Sequence, residues 1–184
     1  DSVTLINQSK NLETRLSRCD VLLKRRAHLE ELERYGRKVI QDRPSVAVFL
    51  REIEAFKGKV IGNHLEKEFE AAVAKASMQA TVAARVTTLT KVALEVDGYI
   101  AHPDAPATLP ELKRRIEDEI VRVQLDGHLR AAEKAEFKGQ KKKALDSYYE
   151  ALYLLRHDDV DDGLQADQIA PIEAKVRELG GDAG

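Results

Sequence analysis

The sequence predicts an all-α protein, with long antiparallel, coiled-coil-like helices followed by a shorter helical bundle. Three observations carry this expectation. Apolar residues recur at steps of three and four along much of the chain, which is the period of one helix face. Ala, Leu, Glu, Lys and Arg dominate, as they do in long helices and coiled coils, and charged residues make up 34% against 5% aromatic. No run of alternating apolar and polar residues argues for strand.

From about Ser2 to Gly36 the apolar stripe is Leu5, Leu12, Leu16, Cys19 and Leu23, a heptad-like spacing. It then shifts to Leu22, Leu29 and Leu32. Cys19 lies inside the stripe and reads as a small core residue, not a reactive thiol. Tyr35-Gly36 ends the segment, and Asp42-Arg43-Pro44 marks the next start, because the first turn tolerates a missing N–H. From Ser45 the stripe is Phe49, Ile53, Phe56, Val60, Leu65, Phe69 and Val73. Gly58 and Gly62 fall within it and read as a close helix–helix approach. The run Val82, Val86, Leu89, Ala93, Val96, Ile100 alternates steps of four and three, the cleanest seam in the chain. Its Val and Thr residues favour strand, but its period is helical. Whether Ser45 to Gly98 is one helix or two stays open, with Lys75 to Thr81 the weakest point.

His102-Pro103-Asp104-Ala105-Pro106-Ala107 reads as a linker. It divides the chain into a long-helix region, residues 1–101, and a C-terminal helical region, residues 108–180. Thr108 with Glu111 three residues on has the form of a capping box. A helix is expected through Leu112, Ile116, Ile120 and Val123 to Phe137, and another from about Lys141 to Arg156. Asp162-Gly163-Leu164-Gln165 can open a last helix through Ile169, Ile172, Val176 and Leu179. Pro171 must kink that helix or sit in an early turn. Gly180-Gly181 reads as a stop, with residues 181–184 a flexible tail.

Two amphipathic runs meet at Gly139-Gln140. The small Ala132, the turn at Gly139, then Ala144-Leu145, Tyr148 and Ala151-Leu152 are spaced so that small residues meet where helices touch. Over about residues 124–156 this stretch resembles a single tetratricopeptide repeat, a helix–turn–helix unit. Ala135 and Arg156 depart from the family, which often has a large aromatic and a Pro there. The resemblance implies a helical hairpin. It carries no groove residues over, because the family's peptide groove is built across several repeats. A shorter stretch, Cys19 to Leu29, is similar to a helical segment of the bacterial LemA family.

Composition and motifs narrow the function. Thirty basic and 32 acidic residues give a net charge of −2, so the bulk basic footprint of a nucleic-acid binder is missing. Lys24-Arg25-Arg26, Lys113-Arg114-Arg115 and Lys141-Lys142-Lys143 are short and flanked by acids, which suits solvated helix faces. One cysteine and no signal peptide suit a reducing, cytoplasmic setting. No apolar run reaches the length of a membrane span. The chain lacks an initiator Met, so it reads as a fragment or trimmed chain.

The five His residues match no zinc motif. His64 and Glu68 share a helix face and read as a solvated pair. The acidic stretch His157 to Gly163 fails the EF-hand pattern at Val160 and at Ile169. No phosphate loop, nucleophile elbow or paired cysteine motif is present. The expectation is therefore a non-enzymatic protein–protein interaction or scaffold domain. No catalytic, metal or cofactor residue is assigned. The partner is a protein, or further copies of the chain supplying facing helices. The surface proposed for it is Lys138, Lys141, Lys142, Tyr149 and Tyr153, on and after the hairpin turn. A nucleic-acid-binding helical domain using the basic clusters is the alternative.

Overall fold

The computed structural model of the protein describes residues 11–40, 44–102, 105–157 and 165–182. Among the described residues the chain is all-helical. Its helices are α1 (Leu12–Lys24), α2 (Arg26–Arg34), α3 (Val46–Ser77), α4 (Val82–Ile100), α5 (Leu109–Phe137), α6 (Lys141–Arg156) and α7 (Ala166–Glu178). None is long and apolar enough to cross a membrane.

Local chemistry explains the boundaries. Asn11 caps α1, its Oδ1 accepting from the Thr14 N–H at 3.0 Å. Ser2 and Leu5, where the first segment was expected to begin, lie outside the described residues. The single helix expected up to Gly36 is two, because Arg25 leaves helical geometry at φ −92°, ψ 8°. The break falls where the apolar stripe shifts, and it lets Leu22, Leu23 and Leu29 all pack against one cluster.

Ser45 caps α3, its Oγ accepting from Val48 N–H at 3.3 Å. Pro44 therefore precedes the cap and is not in the first turn, while Asp42 and Arg43 lie outside the described residues. The open question over Ser45 to Gly98 resolves as two helices parted at Met78–Thr81. Thr81 restarts the helix, with its Oγ1 accepting from Ala84 N–H at 3.2 Å. Arg85 Nε donates to the Gln79 carbonyl at 2.8 Å and holds the break shut.

Three glycines end helices, each with positive φ: Gly36 at 73°, Gly139 at 68° and Gly180 at 72°. In each case two backbone N–H groups turn back onto the last helical turn. At Gly139, its own N–H bonds to Glu136 O at 2.9 Å and that of Gln140 bonds to Ala135 O at 2.8 Å. This is the Schellman arrangement, in which a left-handed residue satisfies carbonyls that the helix end leaves over.

The chain forms two compact units, Asp1–Glu70 with Leu94–Lys113, and Ala71–Ala93 with Arg114–Gly184. The division runs through α3, α4 and α5, so it is a different partition from residues 1–101 and 108–180. Pro103 and Asp104 of the expected linker lie outside the described residues.

In the first unit, Cys19, Val46, Phe49, Leu50 and Ile53 form a buried cluster. Polar ties surround it: Lys57 with Asp20 at 2.8 Å, Arg26 with Glu54, and Glu33 accepting from the Val46 N–H at 2.9 Å. Gly58 and Gly62 face the chain leading into α5, not another helix. A Cβ added to Gly58 would lie 3.6 Å from Pro106, and one on Gly62 would lie 3.7 Å from Thr108 Oγ1. Those are ordinary contacts, so neither position requires glycine.

In the second unit, Ala132, Ala135, Ala144, Tyr148, Ala151, Leu152, Leu155, Ile169, Ile172 and Val176 form the core of α5, α6 and α7. The approach is tighter at Gly127, where an added Cβ would lie 2.5 Å from Val82 Cγ2 and something would have to shift. Pro171 sits inside α7 in its second turn, where its ring removes one helix hydrogen bond. Gly181, read from sequence as tail, is packed. A Cβ there would lie 2.5 Å from Tyr149 Oη, and the Asp182 N–H donates to the same oxygen at 3.1 Å. Residues 183–184 lie outside the described residues.

Candidate functional site

The second unit carries an open groove among the described residues. Four alanines, Ala132 and Ala135 on α5 with Ala144 and Ala151 on α6, are buried where α5, α6 and α7 pack together. Their small side chains let backbones come close, and the Gly139 turn reverses the chain between α5 and α6. Tyr148, only 4% exposed, fills the space the alanines leave.

A buried phenol needs a partner, and Tyr148 Oη donates to Glu136 Oε2 at 3.0 Å. Lys175 of α7 donates to the other oxygen, Oε1, at 3.0 Å and lies 3.3 Å from Glu178. One carboxylate therefore ties all three helices. The Lys175 ammonium and then the Tyr148 hydroxyl, as donors, hold the Glu136 carboxyl below the usual carboxylate range. Burial, and after it the bond to Glu136, pushes the Tyr148 phenol up to about 12. Hydrogen bonds to Glu136 and Glu178 raise Lys175.

Beside this tie lies an open groove of about 710 Å³. Its floor includes Leu125, Leu129 and Ile172, and its rim carries Glu133, Glu136, Asp167 and Lys175. Phe137, the last residue of α5, borders the groove and is 92% exposed. A fully hydrated aromatic beside an apolar floor is a common mark of a contact surface. The arrangement suits binding. Within it, Glu136 is already held by Tyr148 and Lys175.

The five residues expected to form a partner surface lie elsewhere, and none lines the groove. Lys138 and Lys141 are exposed at the turn. Lys142, Tyr149 and Tyr153 share one strip of α6, at i, i+7 and i+11. Tyr149 is 39% exposed, with its hydroxyl engaged by Asp182. Tyr153, 59% exposed, stacks on His157 with centroids 4.1 Å apart. The sequence reading placed Tyr148 among the positions of the hairpin and assigned none of Leu125, Leu129 and Phe137 to a surface. The readable signal was an aromatic placed directly before Lys138-Gly139, at a helix end.

Other candidate chemistry resolves into structure. Cys19 is 0% exposed; burial first, then Asp20, pushes its thiol up, so it is a poor nucleophile. His64 lies 3.6 Å from Glu95. Among the described residues no group of three or more His, Cys, Asp or Glu could hold a metal ion. The acidic stretch after His157 lies outside the described residues. Of the basic clusters, Arg26 pairs with Glu54, Lys113 with Asp97 at 2.7 Å and Arg114 with Asp118 at 2.8 Å. A recess of about 210 Å³ in the first unit is bordered by the paired Asp20 and Lys57, whose charges answer each other. No protein-family model, curated protein or solved structure matches the chain.

Proposed function

We propose that the protein is a non-enzymatic helical protein–protein interaction or scaffold domain, acting in a reducing, cytoplasmic setting. The observation that carries this reading is the groove of the second unit: an apolar floor, a charged rim and the exposed Phe137 at its edge. The α5–α6 hairpin is read as tetratricopeptide-like, with Ala132, Ala144 and Ala151 at its contact positions. The seam through Leu89, Ala93 and Val96, all buried, is read as coiled-coil-like packing within the chain or between copies. Nucleic-acid binding is the weaker reading, since cations of two of the three basic clusters are already held by carboxylates.

Affinity capture from a source-cell lysate, with bound proteins identified by mass spectrometry, tests the proposal. Phe137→Ser probes the groove, and Lys138→Glu with Lys142→Glu probes the hairpin turn. A discrete protein retained by the parent and lost in one variant supports an interaction domain and locates its surface. Recovery of the protein alone, together with a monomeric mass by light scattering, overturns it.

A further inference from the structure

We infer that the groove of the second unit receives a basic amphipathic helix of another protein. Its apolar stripe lies on the floor, and its Lys or Arg side chains lie over the rim. The inference rests on the interaction reading above and names the chemistry of the partner.

Charge decides the sign. Three carboxylates, Glu133, Glu136 and Asp167, border the groove against one ammonium, Lys175. Lys175 is spent on Glu136. Glu133 and Asp167 have no ion-pair or hydrogen-bond partner among the described residues, although Asp167 also complements the N-terminus of α7. Two carboxylates therefore flank an apolar floor without a cation. An acidic or neutral segment would desolvate them at a cost, whereas Lys or Arg answers them and also covers apolar surface with its stem.

Geometry decides the shape. The groove is walled by helices, and no strand edge among the described residues could pair with an extended backbone. A helix arrives with its own backbone bonds satisfied and needs only side-chain contact. From Leu125 to Phe137 the α5 wall runs for ~18 Å, room for about three turns carrying anchors at i, i+4 and i+7. Phe137, exposed in the free protein, becomes a contact for the outermost anchor.

The test is selection from a displayed library of helices of about 20 residues, ~30 Å long, against the full chain. The apolar stripe is constant, and flanking positions vary among Lys, Gln and Glu. Lys should be enriched at the flanks. A purified winner should bind about tenfold more weakly to the variant carrying Glu133→Lys and Asp167→Lys, and at least tenfold more weakly to Phe137→Ser. If the charge reversal lowers the melting temperature, Glu133→Gln with Asp167→Asn serves instead, and a smaller loss is expected. Enrichment of Gln or Glu flanks, equal binding to the rim variants, or no enrichment at all overturns the inference. A lysate partner that depends on Lys142 and Tyr153 but not on Phe137 also overturns it while sparing the interaction reading. Capture of nothing by a monomeric chain removes that reading.

Discussion

Around Cys19, the first unit brings Phe49, Leu50 and Ile53 from α3 against Leu22, Leu23 and Leu29. Bulk fills that core, and its polar ties are ion pairs and a cap at the margin. Around Tyr148, the second unit meets through four alanines, and one phenol with one carboxylate joins three helices. The first core is vulnerable to loss of volume and the second to gain of it. The glycines follow the same division: Gly58 has room for a methyl group, whereas Gly127 lies against Val82. The groove with the exposed Phe137 at its edge belongs to the second unit.

The largest effect should come from charge burial. Leu89 is fully buried, and Leu89→Asp is expected to cost several kcal/mol, a large share of a typical total of about 5–15 kcal/mol. Urea unfolding or loss of helical circular dichroism measures it. An unchanged midpoint would remove the α4 seam from the core.

The two cores should then separate by the sign of a volume change. Leu50→Ala is expected to cost about 2–5 kcal/mol through lost contact and a cavity. Ala151→Leu is expected to cost about 1–3 kcal/mol by overpacking. Cys19 supplies a local readout, because its buried thiol reacts only when the first unit opens. Leu50→Ala should speed thiol labelling, and Ala151→Leu should leave it near the parent rate. Equal acceleration by both would show the units opening as one.

Tyr148→Phe should cost about 0.5–1.5 kcal/mol and change the pH profile. Because folding raises the Tyr148 phenol to about 12 from its ordinary value of 10, its contribution is present below pH 10. It is lost as pH climbs toward 12, where the folded state holds more protons than the unfolded. The raised Lys175 acts in the same alkaline direction. The lowered Glu136 acts at the other end, contributing above the ordinary carboxylate range and losing that contribution as pH falls through its folded value. Stability measured from neutral to strongly alkaline pH should fall more steeply in the parent than in Tyr148→Phe. Parallel curves would mean the phenol bond is not formed in solution.

The smallest effects concern the glycines. Gly58→Ala should stabilise by up to about 1 kcal/mol through helix propensity. Gly127→Ala should lose that gain to the clash with Val82 and recover it when combined with Val82→Ala. Stabilisation by Gly127→Ala alone would mean that Val82 moves aside freely and that the close approach is slack.

Much of the architecture was legible because it is local. Period and end signals placed α6 at Lys141 to Arg156, ended α5 at Phe137 and located the stops at Gly36, Gly139 and Gly180, where a left-handed residue is needed whatever packs nearby. The shift of stripe at Leu22 and Leu23 also marked the break at Arg25, although the segment read as one helix. The groove was not legible in the same way. Tyr148, Tyr149 and Tyr153 are alike in sequence, and what separates them is what each one meets: Glu136, Asp182 and His157 in turn. Likewise Gly58, Gly62 and Gly127 are the same residue within helical runs, and only the neighbour across the gap tells which is closely approached. By itself, then, the sequence determined helix content, the stops at glycine and charge balance, through interactions within a few residues of chain. The tertiary structure decided which carboxylates find cations, which aromatic is buried and which face stays open, because those depend on side chains brought together from distant segments.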